Sequence, residues 1–255
     1  MELFYRELGE GGQPIIILHG VFGSSDNWVT LGRKFAEQYK MYLVDQRNHG
    51  QSPRSDQFGY EEMAADLKEL IESKGIEKPI VIGHSMGGKT AMHFALQYPE
   101  LLEKLMVVDI SPRQYPIHHR TILDGLKSVD LSSLKTRSEA DKQLAASIPE
   151  FGVRQFLLKN LYRTDGGFDW RINLPVIDAN IEKVVEALGE NGKTFNKPTL
   201  FLGGSKSDYI IESDHAEITQ YFPQAEIRTV QDSGHWIHAE KPQEFYNETI
   251  RFVEG

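Results

Sequence analysis

Short apolar runs alternate with stretches of helical spacing along the first 112 residues. Apart from Asp109 near the end of the last run, the runs have no charged interruption, which is typical of strands buried on both faces of a parallel sheet. They lie at residues 14–18, 41–44, 79–82 and 105–110, after a short strand candidate at residues 3–8. The helical stretches lie at residues 26–39, 60–73 and 90–97. This alternation predicts an α/β fold with a mostly parallel, doubly wound sheet and ligands at the carboxyl ends of its strands.

The pattern changes at residue 113. Up to residue 197 it favours helical pieces without a buried strand, at residues 120–129, 138–147, 153–162 and 176–188. Strand and helix then alternate again at residues 198–202, 212–221, 226–230 and 242–253. We therefore predict one sheet domain from residues 1–112 and 198–255, with a helical cap at residues 113–197. Apolar cap residues are candidates for pocket walls or plain core, namely Phe151, Phe156, Leu157, Tyr162 and Trp170.

Ser85 lies in the segment Gly83-His84-Ser85-Met86-Gly87, between a predicted strand and a predicted helix. A Gly-x-Ser-x-Gly segment in that context indicates a nucleophile elbow, a sharp turn that exposes the serine hydroxyl. The glycines give the turn clearance, and the helix N-terminus can stabilise an oxyanion nearby. Ser85 is therefore the candidate nucleophile.

The same residues also match a phosphate-binding loop. Gly83, Gly88, Lys89 and Thr90 have the spacing of that motif, and Asp109 ends a strand that could bind magnesium. This NTPase hypothesis is disfavoured because it gives no role to the histidine segments described below.

His235 follows the last predicted strand, where a loop can reach Ser85, so we interpret it as the general base. His238 is interpreted as a structural residue that packs under the site. Two acids can orient His235, because Asp109 and Asp208 both follow strands at the same sheet edge. Helix capping or a turn is the alternative role for each carboxylate.

The turn after residues 14–18 provides the other half of a predicted oxyanion hole. Its Val21 N–H is expected to pair with the N–H of Met86, and Phe22 is the alternative donor. Arg47 and Asn48 are expected to brace this turn.

Bulk composition excludes several function classes. A net charge of −9 and a pI near 5.5 argue against nucleic acid or anionic membranes as partners. No cysteine is present, no run approaches the length of a membrane span, and no signal peptide is evident.

His118 and His119 lack a third ligand at metal-binding spacing and are interpreted as solvated. We expect no cofactor or metal, a cytoplasmic location, and a monomer or small homo-oligomer.

Five segments in order, HGVFGSSDNW, DQRNHGQS, GHSMGG, VVDISP and SGHWIHAEKP, resemble the α/β-hydrolase superfamily over nearly the whole chain. Within it they are similar to the YbfF and ABHD11-like esterase group. The resemblance implies an α/β-hydrolase fold, Asp109 as the acid and Ser207 as its auxiliary. This chain has Gly-Gly-Ser-Lys-Ser-Asp where the group has Gly-Gly-Asn-Ser, so Asp208 stays an alternative.

These observations lead to three hypotheses besides the NTPase. The first is a serine hydrolase that cleaves esters or thioesters of small to medium acyl groups through an acyl-enzyme. The second is a carbon–carbon bond hydrolase that uses the same triad. The third is a hydrolase-fold protein that binds a ligand without turning it over.

Overall fold

A computed structural model describes residues 1–189 and 192–255. Positions 190 and 191 fall within the predicted cap segment and lie outside the described residues. Strands run at β1 (Tyr5–Leu8), β2 (Pro14–Leu18), β3 (Lys40–Val44), β4 (Ile80–His84), β5 (Lys104–Val108), β6 (Leu161–Thr164), β7 (Gly167–Trp170), β8 (Thr199–Gly204) and β9 (Ala225–Val230). Seven of these described strands form one sheet in the order β1-β3-β2-β4-β5-β8-β9. β1 is antiparallel to β3 and all the other neighbours are parallel, which confirms the predicted sheet.

Helices cover both faces of the sheet. They are α1 (Val29–Phe35), α2 (Tyr60–Lys74), α3 (Met86–Gln97), α4 (Arg120–Ser128), α5 (Arg137–Leu144), α6 (Phe151–Leu158), α7 (Leu174–Ala179), α8 (Ile181–Val184), α9 (His215–Tyr221), α10 (Ile237–Glu240) and α11 (Pro242–Glu254). Of these, α4 to α8 lie in the segment between β5 and β8 together with the strands β6 and β7. None of the helices in the described residues is both long and apolar enough to cross a membrane.

Apolar residues on β2 show why continuous runs form the centre of this sheet. Ile16 and Leu18 pack into the core on one face, and Ile15 and Ile17 into the core on the other. Successive side chains of a strand point to opposite faces, so a strand covered by helices on both sides needs an apolar residue at every position.

The strand order reverses direction at β2. From β2 the chain moves to β3 on one side, and β4 then pairs with the other side of β2. The carboxyl ends of β2 and β4 are therefore adjacent at a topological switch point, where doubly wound folds bind ligands. The turn after β2 and the turn that contains Ser85 meet at that point.

Residues 113–197, here called the inserted segment, share an apolar cluster with residues near the start of α2 and α3 and in the turn after β2. Leu123, Leu144, Leu157 and Trp170 belong to it, and it reaches Met86 at the start of α3. The inserted segment therefore packs against the part of the sheet domain that carries Ser85.

Two sequence predictions in the inserted segment were wrong. The helix expected at residues 153–162 ends at Leu158, where buried Asn160 donates from Nδ2 to the Leu157 carbonyl at 3.2 Å. A two-stranded hairpin of β6 and β7 follows, although no strand was expected there. Its register leaves Asp165 and Gly166 as a two-residue turn, and that residue pair favours hairpins.

Candidate active site

Ser85 lies in the turn between β4 and α3. Its backbone has φ 54° and ψ −118°, a strained conformation for a residue with a side chain. A Cβ on Gly83 would lie 2.2 Å from the Gly87 carbonyl oxygen, and a Cβ on Gly87 would lie 2.4 Å from the Leu18 carbonyl oxygen. Glycine at both positions therefore allows the sharp turn that holds Ser85 at the sheet edge.

His235 lies on the loop after β9 and contacts Asp109, which follows β5. The two side chains are joined by a 2.7 Å hydrogen bond between His235 Nδ1 and Asp109 Oδ2. Asp109 is fully buried, and its Oδ1 accepts a hydrogen bond from Gly204 N at 2.9 Å. The Ser207 hydroxyl donates to Oδ2. Because the carboxylate is an acceptor, Nδ1 carries the proton and Nε2 is left as the basic nitrogen.

Asp208, the other candidate acid, is placed differently. Its side chain is exposed, and its backbone carbonyl accepts a hydrogen bond from Arg113 Nη2 at 2.7 Å. Of the two aspartates, the structure brings Asp109 to His235. Ser207, the predicted auxiliary, is brought to the same carboxylate.

Two aromatic residues that the sequence did not single out also hold His235. Tyr209 stacks on its ring with centroids 4.1 Å apart, and His84 lies 4.7 Å away. His84 Nε2 donates to the backbone carbonyl of His235 at 2.8 Å. Burial lowers the pKa of His84 well below its usual range, so this ring is neutral at pH 7. His84 lies within the elbow motif and could have been suspected, whereas Tyr209 carries no motif.

The turn after β2 lies against the elbow. Gly23 N donates to Gly20 O at 2.9 Å, and a Cβ on Gly20 would lie 3.2 Å from the Ser85 Cβ. Phe22 has φ 62°, and its N–H donates to His49 Nε2 at 3.3 Å. This hydrogen bond occupies the N–H of Phe22, which was the alternative oxyanion donor. The N–H of Val21 is left as the candidate donor from this turn.

Buried polar groups brace this turn, although not through the residues that were expected. His19 Nε2 accepts from Gln46 N at 3.0 Å, and Gln46 Nε2 donates to His19 O at 2.6 Å. Burial lowers the pKa of His19 to about 4 and that of His49 to about 3, so both rings are neutral acceptors. Arg47 instead pairs with Asp66 on α2 at 2.7 Å.

Asn48 also has a role other than the predicted one. Its Oδ1 accepts from Asn173 Nδ2 at 2.9 Å, and its backbone carbonyl accepts from Asn173 N at 2.8 Å. Asn48 therefore ties the loop after β3 to the inserted segment.

A cavity of about 250 Å³ joins these elements. It is lined by His19, Gly20, Val21, Phe22, Gly23, Asn27, Trp28, His84, Ser85, His118, His119, Ile122, Phe156, Tyr209, His235, Trp236 and His238. Of the five predicted wall residues, Phe156 lines it, while Leu157 and Trp170 are buried in the apolar cluster and Phe151 is 64% exposed. Tyr162 lines a different pocket, beside Arg54 and Asp169.

His119 does not match the prediction of a solvated pair. Its Nδ1 is buried without a hydrogen-bond partner among the described residues, and burial lowers its pKa to about 4. Its ring lies 6.0 Å from that of Phe22, at the cavity wall. His118 is exposed, as expected. His238 packs under the site as predicted, stacked on Trp28 with centroids 4.1 Å apart.

The residues of the phosphate-loop motif have other partners. Lys89 is fully buried, and its Nζ donates to the carbonyls of Pro112, Arg113 and Glu186 at 2.7–2.8 Å. Thr90 Oγ1 donates to Gln46 Oε1 at 2.8 Å. Neither side chain faces a ligand site. Within the part of the chain that the structure describes, no three His, Asp or Glu side chains are grouped to hold a metal ion.

Comparisons with known proteins agree with this architecture. A family model described as "alpha/beta hydrolase fold" matches residues 13–242. A mouse protein named sn-1-specific diacylglycerol lipase ABHD11 is 40% identical over 247 residues, which are 94% of this chain and 80% of the mouse protein. Esterase YbfF of Escherichia coli is 36% identical over 241 residues, covering 94% of this chain and 92% of the relative.

A solved structure titled "Marine microorganism esterase" superimposes with a TM-score of 0.95 at 43% identity. The match covers 98% of this chain and 99% of that one. Both the family model and these relatives span most of the chain, and they confirm the predicted resemblance. The chain belongs to the α/β-hydrolase family, within the YbfF and ABHD11-like esterase group.

Proposed function

We propose that this protein is a serine carboxylesterase in which Ser85, His235 and Asp109 form the catalytic triad. The observation that carries the proposal is the 2.7 Å hydrogen bond from His235 Nδ1 to buried Asp109, with His235 and Ser85 lining the same cavity. Relatives named as esterases and lipases support ester hydrolysis as the reaction class.

The proposed reaction begins when Ser85 Oγ attacks the ester carbonyl carbon and His235 Nε2 takes the hydroxyl proton. Asp109 holds the ring orientation and stabilises the imidazolium. The tetrahedral intermediate collapses, and the alcohol leaves with the proton from His235. Water activated by His235 then attacks the acyl-enzyme and releases the carboxylic acid and Ser85.

The N–H groups of Val21 and Met86 are proposed to stabilise the oxyanion. Met86 is the first residue of α3, so its N–H has no partner within the helix and lies at the positive end of the helix dipole. Val21 lies in the turn that packs on Ser85. The N–H of the next residue, Phe22, already donates a hydrogen bond to His49. Phe22 is therefore proposed to orient the turn and not to bind the oxyanion.

The inserted segment is proposed to act as a cap. It contributes His118, His119, Ile122 and Phe156 to the cavity wall, opposite residues of the sheet domain. A cavity of about 250 Å³ favours small to medium acyl groups, since pockets that bind drug-sized ligands have volumes of roughly 300–1,000 Å³. Acyl thioesters fit the same chemistry. The cytoplasmic location and the oligomeric state stay predictions.

The test is hydrolysis of p-nitrophenyl acetate, butanoate and octanoate by purified wild type and by Ser85→Ala. We expect turnover in the wild type and a loss of at least about a thousandfold in the variant, because the covalent step needs the serine hydroxyl. Hydrolysis that is equal in both proteins would overturn the proposal. Tight binding without turnover would favour the ligand-binding hypothesis.

A further inference from the structure

The cavity has an outer and an inner end that differ in burial and chemistry. Ile122, Phe156 and Trp236 at the outer end are partly exposed. Residues at the inner end are almost fully buried, with exposed fractions of 1% for Trp28, 4% for His84 and 7% for His238. A group bound at the inner end is therefore surrounded by protein, and all three of these neighbours carry ring nitrogens, the indole N–H of Trp28 among them.

His238 is a buried hydrogen-bonding group that the proposed reaction does not use. Its ring stacks on Trp28 at 4.1 Å and lies 4.8 Å from that of His84. Its Nδ1 is buried without a hydrogen-bond partner among the described residues. A buried N–H without an acceptor is rarer in proteins than an unpaired acceptor. We therefore assign the proton to Nε2, on the ring edge that can reach the cavity.

Neighbouring side chains complete a set of donors and acceptors. Asn27 is partly exposed, precedes Trp28 in the chain and also lines the cavity. Its Oδ1 accepts from Ser24 N at 2.8 Å, which leaves its Nδ2 amide as a second donor. His84 donates from Nε2 to His235 O, so its Nδ1 is an acceptor. Among the described residues, no Lys, Arg, Asp or Glu side chain lines the cavity.

We propose that the inner end of the cavity binds an uncharged hydroxyl or carbonyl group of the substrate, through His238 and Asn27. This inference rests on the proposed esterase function and names its substrate class: short esters that carry such a group besides the ester bond. A charged group is disfavoured, because burying an unpaired charge costs much more than burying a hydroxyl that finds partners. A site with buried polar groups discriminates strongly against a substrate that leaves them unpaired.

The test compares esters that differ only by a hydroxyl in place of a methyl group. On the acyl side the pair is p-nitrophenyl β-hydroxybutanoate and p-nitrophenyl isovalerate. On the alcohol side the pair is the butanoates of ethylene glycol and 1-propanol. We expect wild type to prefer the hydroxyl member of at least one pair by about tenfold or more in kcat/KM.

Two variants assign that preference to the inner end. His238→Phe keeps an aromatic ring against Trp28 and removes both nitrogens. Asn27→Leu keeps the side-chain size without adding a charge and removes the amide donor, together with the acceptor for Ser24 N. We expect each to lower the hydroxyl-to-methyl ratio at least about fivefold, and His215→Phe, at an exposed histidine on α9, to leave it unchanged.

The outcomes separate this inference from the proposed function. Ser85-dependent hydrolysis with a hydroxyl-to-methyl ratio near one in both pairs would overturn the inference and leave the esterase proposal intact. A ratio that both folded variants retain would also overturn it. If no ester is hydrolysed in a Ser85-dependent way, the proposed function fails and the inference fails with it. Should His238→Phe not fold, Asn27→Leu decides the assignment.

Discussion

At the scale of single residues, Asp109 connects the polar groups of the site. Its two oxygens accept hydrogen bonds from His235, Gly204 and the Ser207 hydroxyl, and it has no exposed surface. Three donors, from the end of β8, the turn directly after it and the loop after β9, leave the carboxylate with one orientation. One oxygen is thereby directed at His235 Nδ1, which fixes the tautomer that a general base requires.

Replacing Asp109 by Asn is expected to lower kcat/KM on p-nitrophenyl butanoate by about a thousandfold or more. The amide cannot stabilise the imidazolium and favours the wrong tautomer of His235. Asp208→Asn serves as the matched control, and we expect its kcat/KM to stay within about threefold of wild type, because its side chain is exposed. A large loss in the control alone would reverse the assignment of the acid.

Some residues of this site could be predicted from the sequence, and others depend on packing. Ser85 and His235 were found because a local motif and a strand-exit position carry the signal. The choice between Asp109 and Asp208 stayed open, since it depends on which loop reaches His235. Tyr209 stacks on His235 only because the fold brings the loop after β8 beside the loop after β9.

At the scale of elements, Lys89 joins helix α3 to both ends of the inserted segment. Its three acceptors are the carbonyls of Pro112 and Arg113, where the segment begins, and of Glu186, near its end. Three acceptors require all three donors of an ammonium group. A residue that suggested phosphate binding in the sequence therefore anchors the proposed cap to the helix behind Ser85.

We expect Lys89→Met to lower the free energy of unfolding by about 3 kcal/mol or more, because three buried carbonyls lose their donor. Urea denaturation at pH 7 measures the change. Lys68→Met is the control, since Lys68 pairs on the surface with Glu72 on the same helix and such pairs contribute less than about 1 kcal/mol. Equal losses in the two variants would show that Lys89 does not anchor the segment.

The fold was easier to predict where apolar runs were continuous. The strands of the main sheet lie within one or two residues of their predicted positions, because burial on both faces leaves a strong pattern. The hairpin of β6 and β7 was missed because its strands are four residues long and partly exposed, so their pattern is weak. Asp165 and Gly166 were the one local signal.

At the scale of the whole molecule, neutral histidines are concentrated around the cavity. Burial lowers the pKa of His19 to about 4 and the pKa values of His49 and His238 to about 3. The unfolded chain binds protons at these sites below pH 6.5, and the folded chain does not until about pH 4 or 3. The unfolded state therefore binds more protons in this window, and stability falls as the pH falls.

The free energy of unfolding is expected to drop by several kcal/mol between pH 7 and pH 5, at about 1.4 kcal/mol per pH unit for each fully titrating histidine. Urea denaturation at half-unit intervals measures the slope. His238→Phe should reduce the total drop by about 2 kcal/mol, because one titrating group is removed. His215→Phe, on the surface, is the control. A drop that is the same in wild type and His238→Phe would contradict this account.

The central claim is that Ser85 is a nucleophile activated by His235 and Asp109, and covalent labelling tests it most directly. The measurement is mass spectrometry of the intact protein and its peptides after treatment with an alkyl fluorophosphonate, which reacts with activated serines. We predict one adduct per chain on Ser85, formed at least about a hundredfold more slowly in Asp109→Asn and absent from Ser85→Ala. An unmodified Ser85 in wild type, or an equally fast adduct in Ser85→Ala, would contradict the account.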